Sequence, residues 1–367
     1  MQWADERAPV VSLTTAVNGL AYDRHQSWAF WRADGAALAE TPFVMRDGNR
    51  GTMSIVRSLD PRLVGEPRIG MMMEAALLHL DAPMSKLRAP GRVGVWAAIG
   101  ERFAAKDDPY FGRAAPRLSQ RLSAFFGARG VESTPTLVAR GHAGFAHALL
   151  DACRALAEGA VELAVVGGAD TYYDPLVVDI LEEGERMFGP ETLEGFIPGE
   201  GAAFVVITTR AFAQRAGLEV LARVETVATD REPAPMASDA PTIAAGLTSV
   251  VRCVTDRLKS ERRMLDWMLT DLTSEPYRAR EITLALPRAF APGGLDTAGA
   301  TYRHVVDERF VLSHLPQAFG DLGAATMPTA LTIATEAFRR GDPVASSCAI
   351  TGSSTGGDRG AILVRAG

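Results

Sequence analysis

The sequence predicts an α/β fold of two similar halves, each a mixed sheet, with a buried helix at the centre of each half. Three observations predict it. The run His142 to Glu158 is apolar on nearly every side, which places a helix in the middle of a protein. Short apolar runs of strand length alternate with helical ones. The order helix, strand, glycine-rich turn, strand occurs twice, once ending near Thr209 and once at the end of the chain. A division into residues 1–210 and 211–367 follows from that repeat.

The elements are expected in this order. Val10 to Leu13 reads as a strand within a weakly patterned stretch of about 90 residues. Arg68 to Leu80, with Met71, Met72, Met73, Leu77 and Leu78, reads as a buried helix, and Val93 to Ala98 as a buried strand. Residues 99–137 are polar and could cover a site or build a dimer contact. The helix from His142 stops at Gly159, a natural C′ residue. Leu163 to Val166 is a strand closed by Gly167-Gly168. Gly201 to Thr209 is another, entered through the Pro198-Gly199-Glu200-Gly201 turn. Residues 228–242 read as a surface loop. Ile282 to Leu286 is expected as a strand, Ala324 to Phe338 as a helix, and Val344 to Ile350 and Gly360 to Val364 as the last strands.

Composition narrows the function. The chain has 367 residues, 47% hydrophobic and 22% charged, which is ordinary for a globular protein. Its 38 basic and 44 acidic residues give a net charge of −6, against the basic footprint that nucleic-acid binding needs. Cys153, Cys253 and Cys348 are too widely spaced for a disulfide framework or a CxxC metal site, and the six histidines show no ligand spacing. No metal and no cofactor is expected. The first seven residues lack the order of a signal peptide and no run reaches membrane-spanning length, so a soluble, cytoplasmic protein is expected.

Four segments then carry a resemblance. Gly141 to Asp170 (GHAGFAHALLDACRALAEGAVELAVVGGAD) resembles the nucleophile helix and following strand of the β-ketoacyl synthases of the thiolase superfamily. Gly195 to Ala203 (GFIPGEGAA) resembles their glycine turn, and Phe319 to Ala325 (FGDLGAA) their second-histidine loop. Ser346 to Val364 (SSCAITGSSTGGDRGAILV) resembles their last glycine loop and strand. The resemblance covers roughly 140–210 and 282–365. It implies a thiolase-like fold layered α-β-α-β-α and a tight dimer. The apolar run Leu163 to Asp170 fits a strand that pairs across the interface.

The resemblance also places the site. The family's nucleophilic cysteine stands at the start of the buried helix, where the helix dipole and free N–H groups lower its pKa and stabilise an oxyanion. Here that position is His142. The family's second histidine falls on Asp321. Its first follows the strand matched to 282–286, and Pro287-Arg288-Ala289-Phe290 offers none. No lysine lies beyond Lys259, so the family lysine is absent as well. A helix N-terminus disfavours imidazolium, so a neutral His142 is expected. Two readings stay open for it: a plug in a silent site, or a group that orients a carbonyl or acts as a base. Cys348 is either a relocated nucleophile or a small buried hydrophobe. Phe145, Phe319, Ile350, Thr351 and Gly352 are the candidate substrate-binding residues, and Gly199, Glu200 and Gly201 the structural turn. The polar stretch Asp271 to Arg280 reads as a solvated connection, or otherwise as a partner-binding edge.

Three functions follow as expectations. The first is a non-condensing homologue, like a chain-length factor, that partners an intact ketosynthase and shapes acyl-chain binding in fatty-acid- or polyketide-type biosynthesis. Homodimer, heterodimer and acyl carrier protein are the partners that this implies. The second is an acyl-thioester decarboxylase, hydrolase or acyltransferase using His142. The third is a scaffold without a pocket. Condensation by this chain alone is not expected.

Overall fold

A computed structural model describes residues 1, 3, 8–85, 91–290, 306–342 and 346–367. Residues 2 and 4–7 at the N-terminus, and Val344 at the start of an expected strand, therefore lie outside the described residues. Twelve strands and ten helices follow in chain order among the described residues. They are β1 (Val10–Asn18), α1 (Arg24–Arg32), β2 (Ala39–Val44), β3 (Arg50–Met53), α2 (Gly65–Ser85), β4 (Val93–Ile99), α3 (Ala114–Gly127) and β5 (Thr136–Ala139). Next come α4 (Gly144–Ala157), β6 (Leu163–Thr171), α5 (Pro175–Glu183), β7 (Glu200–Thr208), α6 (Arg210–Ala216) and β8 (Ala222–Arg231). The chain ends with α7 (Ala245–Ser260), β9 (Leu265–Thr270), α8 (Pro276–Phe290), β10 (Val306–His314), α9 (Pro316–Phe319), α10 (Thr326–Arg340), β11 (Ser347–Ser353) and β12 (Asp358–Ala366).

Ten strands form one sheet in the order β10-β9-β11-β12-β8-β1-β7-β6-β4-β5. Read outward from the junction, its halves are the same: β1-β7-β6-β4-β5 and β8-β12-β11-β9-β10. Each has antiparallel pairs next to the junction and parallel pairs at the far edge. The junction itself is thin, with only Val10↔Arg223 and Val11↔Ala222 in register. The duplication read from the sequence is therefore present in the topology.

Helices complete five layers. Helix α2 covers β1, β6 and β7, with α3 against it, and α7 covers β8, β11 and β12, with α8 against it. Between the halves lie α4, which touches β4, β6, β8 and β12, and α10, which touches β1, β7 and β11. Their side chains build one apolar core with Phe145, Leu149, Met327, Leu331 and Trp267. Burial of most of α4, apart from a strip where Asp151 and Arg154 are exposed, explains why the rest of it is apolar.

Four expectations change. Residues 282–286 are helix, not strand. They lie in α8, whose buried positions Arg278, Glu281, Ala285 and Ala289 recur at helical spacing. The strand of that region is β9. Gly167-Gly168 does not end β6, which runs on to Thr171. A Cβ on Gly167 would meet the Phe204 ring at 2.2 Å and one on Gly168 the Ala324 carbonyl oxygen at 2.2 Å, so these glycines allow close packing within the strand. The run Leu163 to Asp170 pairs with β4 and β7 inside the chain, and β5 stands at the edge of that half. The strand β8 extends to Arg231, into the stretch read as a loop. Residues 99–137 hold α3, and their start reaches the site.

Candidate functional site

The site forms where the two central helices begin. A 3-10 turn, Gly141–Ala143, leads into α4, and another, Gly323–Ala325, leads into α10. Both open on a glycine in the left-handed region, with φ of 56° at Gly141 and 54° at Gly323. At Gly323 a Cβ would also press on the Asp170 carboxylate, at 2.4 Å. The turns are thus equivalent in the two halves, and they bring His142 and Asp321 together.

His142 Nε2 and Asp321 Oδ1 are 2.6 Å apart, both residues buried. Asp321 Oδ1 also accepts the Gly323 N–H at 2.8 Å. The aspartate backbone is clamped: its N–H donates to Ile197 O and its carbonyl accepts from Gly199 N, both at 2.8 Å. Burial alone would lower the His142 pKa, yet the Asp321 carboxylate outweighs it and the net shift is upward. Burial alone would raise Asp321, yet His142 and then Arg278 hold it well below the usual carboxylate range. Both directions stem from the same contact, which favours a protonated ring beside a carboxylate. The expected neutral His142 meets a carboxylate in contact that opposes the helix dipole.

A pH window follows. With a folded pKa above the ordinary 6.5, His142 stabilises the fold fully below 6.5 and loses that contribution as pH rises through its higher folded value. With a folded pKa below the ordinary 3.8, Asp321 contributes above 3.8 and loses its share as pH falls through its lower folded value. Ring ¹⁵N NMR should show His142 titrating above 6.5. A ring that titrates below 6.5 would remove the ion pair.

The stretch Asp271 to Arg280, expected in solvent, holds the second part of the site. Arg278 Nη1 donates to Asp271 Oδ2 at 2.8 Å and to Ser353 O at 2.7 Å, and Ser353 N donates to the same Asp271 oxygen at 2.7 Å. Arg278 Nε reaches Glu275 Oε2 at 3.2 Å, and Arg186 reaches Glu275 Oε1 at 2.8 Å. Asp271, Glu275 and Arg278 are all buried. Since β9 is the strand of this region, the loop that follows it is Asp271-Leu272-Thr273, not residues 287–290. Asp271 stands first in that loop.

A cleft of about 360 Å³ opens beside His142 and is lined by Arg102, Phe111, His142, Tyr172, Leu181 and Arg186, among others. Arg102 pairs with Asp170 at 2.6 Å and donates to Thr171 O at 2.8 Å. Burial, with Asp321 and Asp170 nearby, raises the Tyr172 phenol well above its ordinary value, so it stays protonated. A second cleft of about 320 Å³ is lined by Phe196, Ile197, Leu272, Thr273, His314 and Pro316, among others. Between the two lies a wall: Tyr172 meets Phe196 edge-on, ring centroids 5.4 Å apart, and Arg186 lies 5.3 Å from the Phe196 ring.

The other sequence candidates sit elsewhere. Cys348 is buried in β11 within the apolar core, and burial pushes its thiol far up. Cys153 is buried mid-helix with its thiol also raised by burial, and Cys253 is exposed on α7. Neither cleft has a cysteine in its lining. Phe145, Phe319 and Ile350 belong to the apolar core, and Thr351 and Gly352 lie buried on β11; none of the five lines the cleft beside His142. A Cβ on Gly352 would meet His142 O at 2.8 Å. Ser354 caps the turn, accepting from Ala143 N at 2.9 Å and donating to Arg140 O at 2.5 Å. Glu200 is buried, salt-bridged to Arg68 at 2.6 Å, and accepts from Thr171 Oγ1 at 2.6 Å and Val56 N at 2.6 Å. Gly199 and Gly201 let the turn approach Phe319 O and Val17 O.

Residues 76–213 match the family described as Beta-ketoacyl synthase, N-terminal domain. The whole chain superposes on solved ketosynthases. The fold is the ketosynthase fold. The oxazolomycin ketosynthase domain from Streptomyces albus JA3453 superposes with a TM-score of 0.72 at 18% identity, over 98% of this chain and 74% of that one. A type II polyketide synthase acyl-carrier protein in complex with its ketosynthase gives 0.75 at 14%, over 99% and 100%. The ishigamide ketosynthase/chain length factor gives 0.70 at 18%, over 98% and 99%. No curated protein sequence is significantly similar to the chain. Arg102, Asp170, Tyr172, Arg186, Asp271 and Arg278 surround the candidate site and were not picked out by sequence reasoning. No helix among the described residues is long and apolar enough to cross a membrane.

Proposed function

We propose that this chain is a non-condensing ketosynthase-like subunit of polyketide- or fatty-acid-type biosynthesis, which lacks the Cys-His-His set and pairs with an intact ketosynthase whose acyl-chain site it shapes. One observation carries the reading. Where the resemblance places a thiolate stands the buried imidazole of His142, 2.6 Å from the Asp321 carboxylate. It has no thiol to hold an acyl group, and its protonated form, which Asp321 favours, has no lone pair to attack a thioester or take a proton. Asp271 and Asp321 stand where histidines would stabilise an oxyanion, and carboxylates repel that charge.

The names of the similar structures support the partner. One is a ketosynthase/chain length factor and another a ketosynthase with its acyl-carrier protein. The cleft beside His142 speaks against a scaffold without a pocket, and the upward shift of the His142 pKa, caused by Asp321, weighs against its use as a base. Purified protein incubated with acyl- and malonyl-carrier protein should form neither a covalent adduct nor a 3-oxoacyl product by mass spectrometry. An adduct on His142 together with that product would overturn the reading. Co-expression with a cysteine-bearing ketosynthase should yield a co-purifying heterodimer; homodimers that never exchange would remove the partner.

A further inference from the structure

A groove of about 800 Å³, more than twice the size of either cleft near His142, runs between the β2–β3 hairpin and residues 182–193, the end of α5 and the loop after it. Neither His142 nor Asp321 lines it. Both walls are held by their own backbone. At the hairpin tip Met45 N donates to Asn49 O at 2.8 Å and Gly48 N to Met45 O at 2.9 Å. In the loop, Gly189 and Thr192 exchange N–H···O bonds at 3.2 and 3.1 Å, and Phe188 N donates to Phe196 O at 2.9 Å. Arg46 N ties the walls together by donating to Glu182 Oε1 at 2.8 Å. The groove is therefore preformed, as binding sites usually are.

Its lining combines two features. Glu40, Asp47, Glu182, Glu185 and Glu191 face only two cations, Arg46 and Arg50. Arg46 also reaches Glu183 at 3.4 Å, so its charge is shared beyond the groove. Among the described residues, no hydrogen bond or ion pair engages the carboxylates of Glu40, Glu185 or Glu191. The other feature is apolar: Met45, Met187, Phe188, Pro190 and Leu193 line the same groove. Phe188 is 45% and Leu193 71% exposed, which leaves two large apolar side chains in water at one place. Methionine adapts its shape to whatever covers it.

Each feature excludes a class of ligand. The carboxylates repel an acidic or phosphorylated ligand. A metal ion or a polyamine would neutralise them and leave Phe188 and Leu193 in water. A wholly apolar surface would cover those two and desolvate the carboxylates without a partner. A polypeptide that alternates cationic and apolar side chains meets both features at once. We propose that this groove docks a basic, amphipathic segment of a partner protein, its lysines or arginines on Glu40, Glu185 and Glu191 and its apolar side chains on Met187, Phe188 and Leu193.

Fluorescence anisotropy of the full chain with three labelled pentapeptides tests it: Lys-Phe-Lys-Leu-Lys, Lys-Ser-Lys-Ser-Lys and Glu-Phe-Glu-Leu-Glu. The first should bind at least about tenfold more tightly than either of the others, and less tightly as salt is added. Glu185→Gln with Glu191→Gln should weaken it about tenfold, and so should Leu193→Ser. All three side chains are exposed, so the unfolding midpoint should stay unchanged. Glu158→Gln with Asp239→Asn removes the same charge at exposed positions outside the groove and should leave the affinity unchanged. Equal affinities for the three peptides would overturn the inference, and so would an equal loss in the two charge variants. Self-association of the chain that Leu193→Ser abolishes and the first peptide does not displace would make the occupant a second copy and overturn it too. Because the groove is separate from His142, an acyl adduct there would leave this inference standing, and a failure here would leave the non-condensing reading standing.

Discussion

Arg278→Met is expected to destabilise the protein by about 3–5 kcal/mol. The guanidinium is the common partner of two buried carboxylates, Asp271 at 2.8 Å and Glu275 at 3.2 Å. It also fastens the Ser353 carbonyl at the end of β11 to the loop after β9. Methionine fills much of the volume but leaves Asp271 charged, with only the Ser353 N–H to satisfy it. Arg186 still reaches Glu275, so the loss falls chiefly on Asp271. Urea unfolding should show a lower midpoint at unchanged slope. Arg154→Met, which breaks a surface pair with Asp151, is the control and should change stability by about 0.5 kcal/mol or less. Adding Asp271→Leu to Arg278→Met should recover part of the loss, since an apolar pair no longer strands a charge. A loss below about 1 kcal/mol for Arg278→Met alone would mean that the network is not buried as described.

The second large effect is a failure to gain function. His142→Cys puts a thiol at the start of the central helix, where the resemblance to β-ketoacyl synthases places their nucleophile. It should nonetheless remain unreactive. The Asp321 carboxylate, 2.6 Å from the imidazole in the parent protein, would face the sulfur and raise its pKa, opposing the helix dipole. Arg278 acts in the opposite sense, and Asp271, paired with it, offsets part of that, so Asp321 is the charge that raises the thiol. Alkylation by iodoacetamide at pH 7 should therefore be slower than for free cysteine. The double variant His142→Cys, Asp321→Asn should react at least about tenfold faster than His142→Cys, because one pKa unit is a factor of ten in thiolate. Fast labelling of the single variant would show that Asp321 does not govern this position.

How much of this was legible depended on whether the pattern is local. Helices α4 and α10 and strands β6, β7, β11 and β12 could be read because most of each is buried, so its composition marks it. His142 and Asp321 were found for a different reason: glycine-flanked motifs fixed their places. That they touch was not legible, since 179 residues separate them. The stretch 282–286 misled because Ile282, Leu284 and Leu286 alternate as a strand does, while the positions that α8 buries include Arg278 and Glu281. Glu281 meets Arg359 at 2.6 Å, a partner 78 residues away that makes its burial tolerable. For the same reason Asp271 to Arg280 looked like a surface. A run of charges is solvated unless distant residues neutralise it, and here Ser353, Arg186 and Arg359 do so.

The thin junction between β1 and β8 has a mechanical consequence. Two residue pairs cannot weld ten strands into a stiff plate, so the halves are held by the helices sandwiched between them and by the ionic knot at the tips of those helices. Neither half can loosen without uncovering the apolar flank of α4 or α10 and parting His142 from Asp321. Melting should therefore be all-or-none across the full length of the chain, and the protonation of one imidazole would register whether the whole molecule is intact.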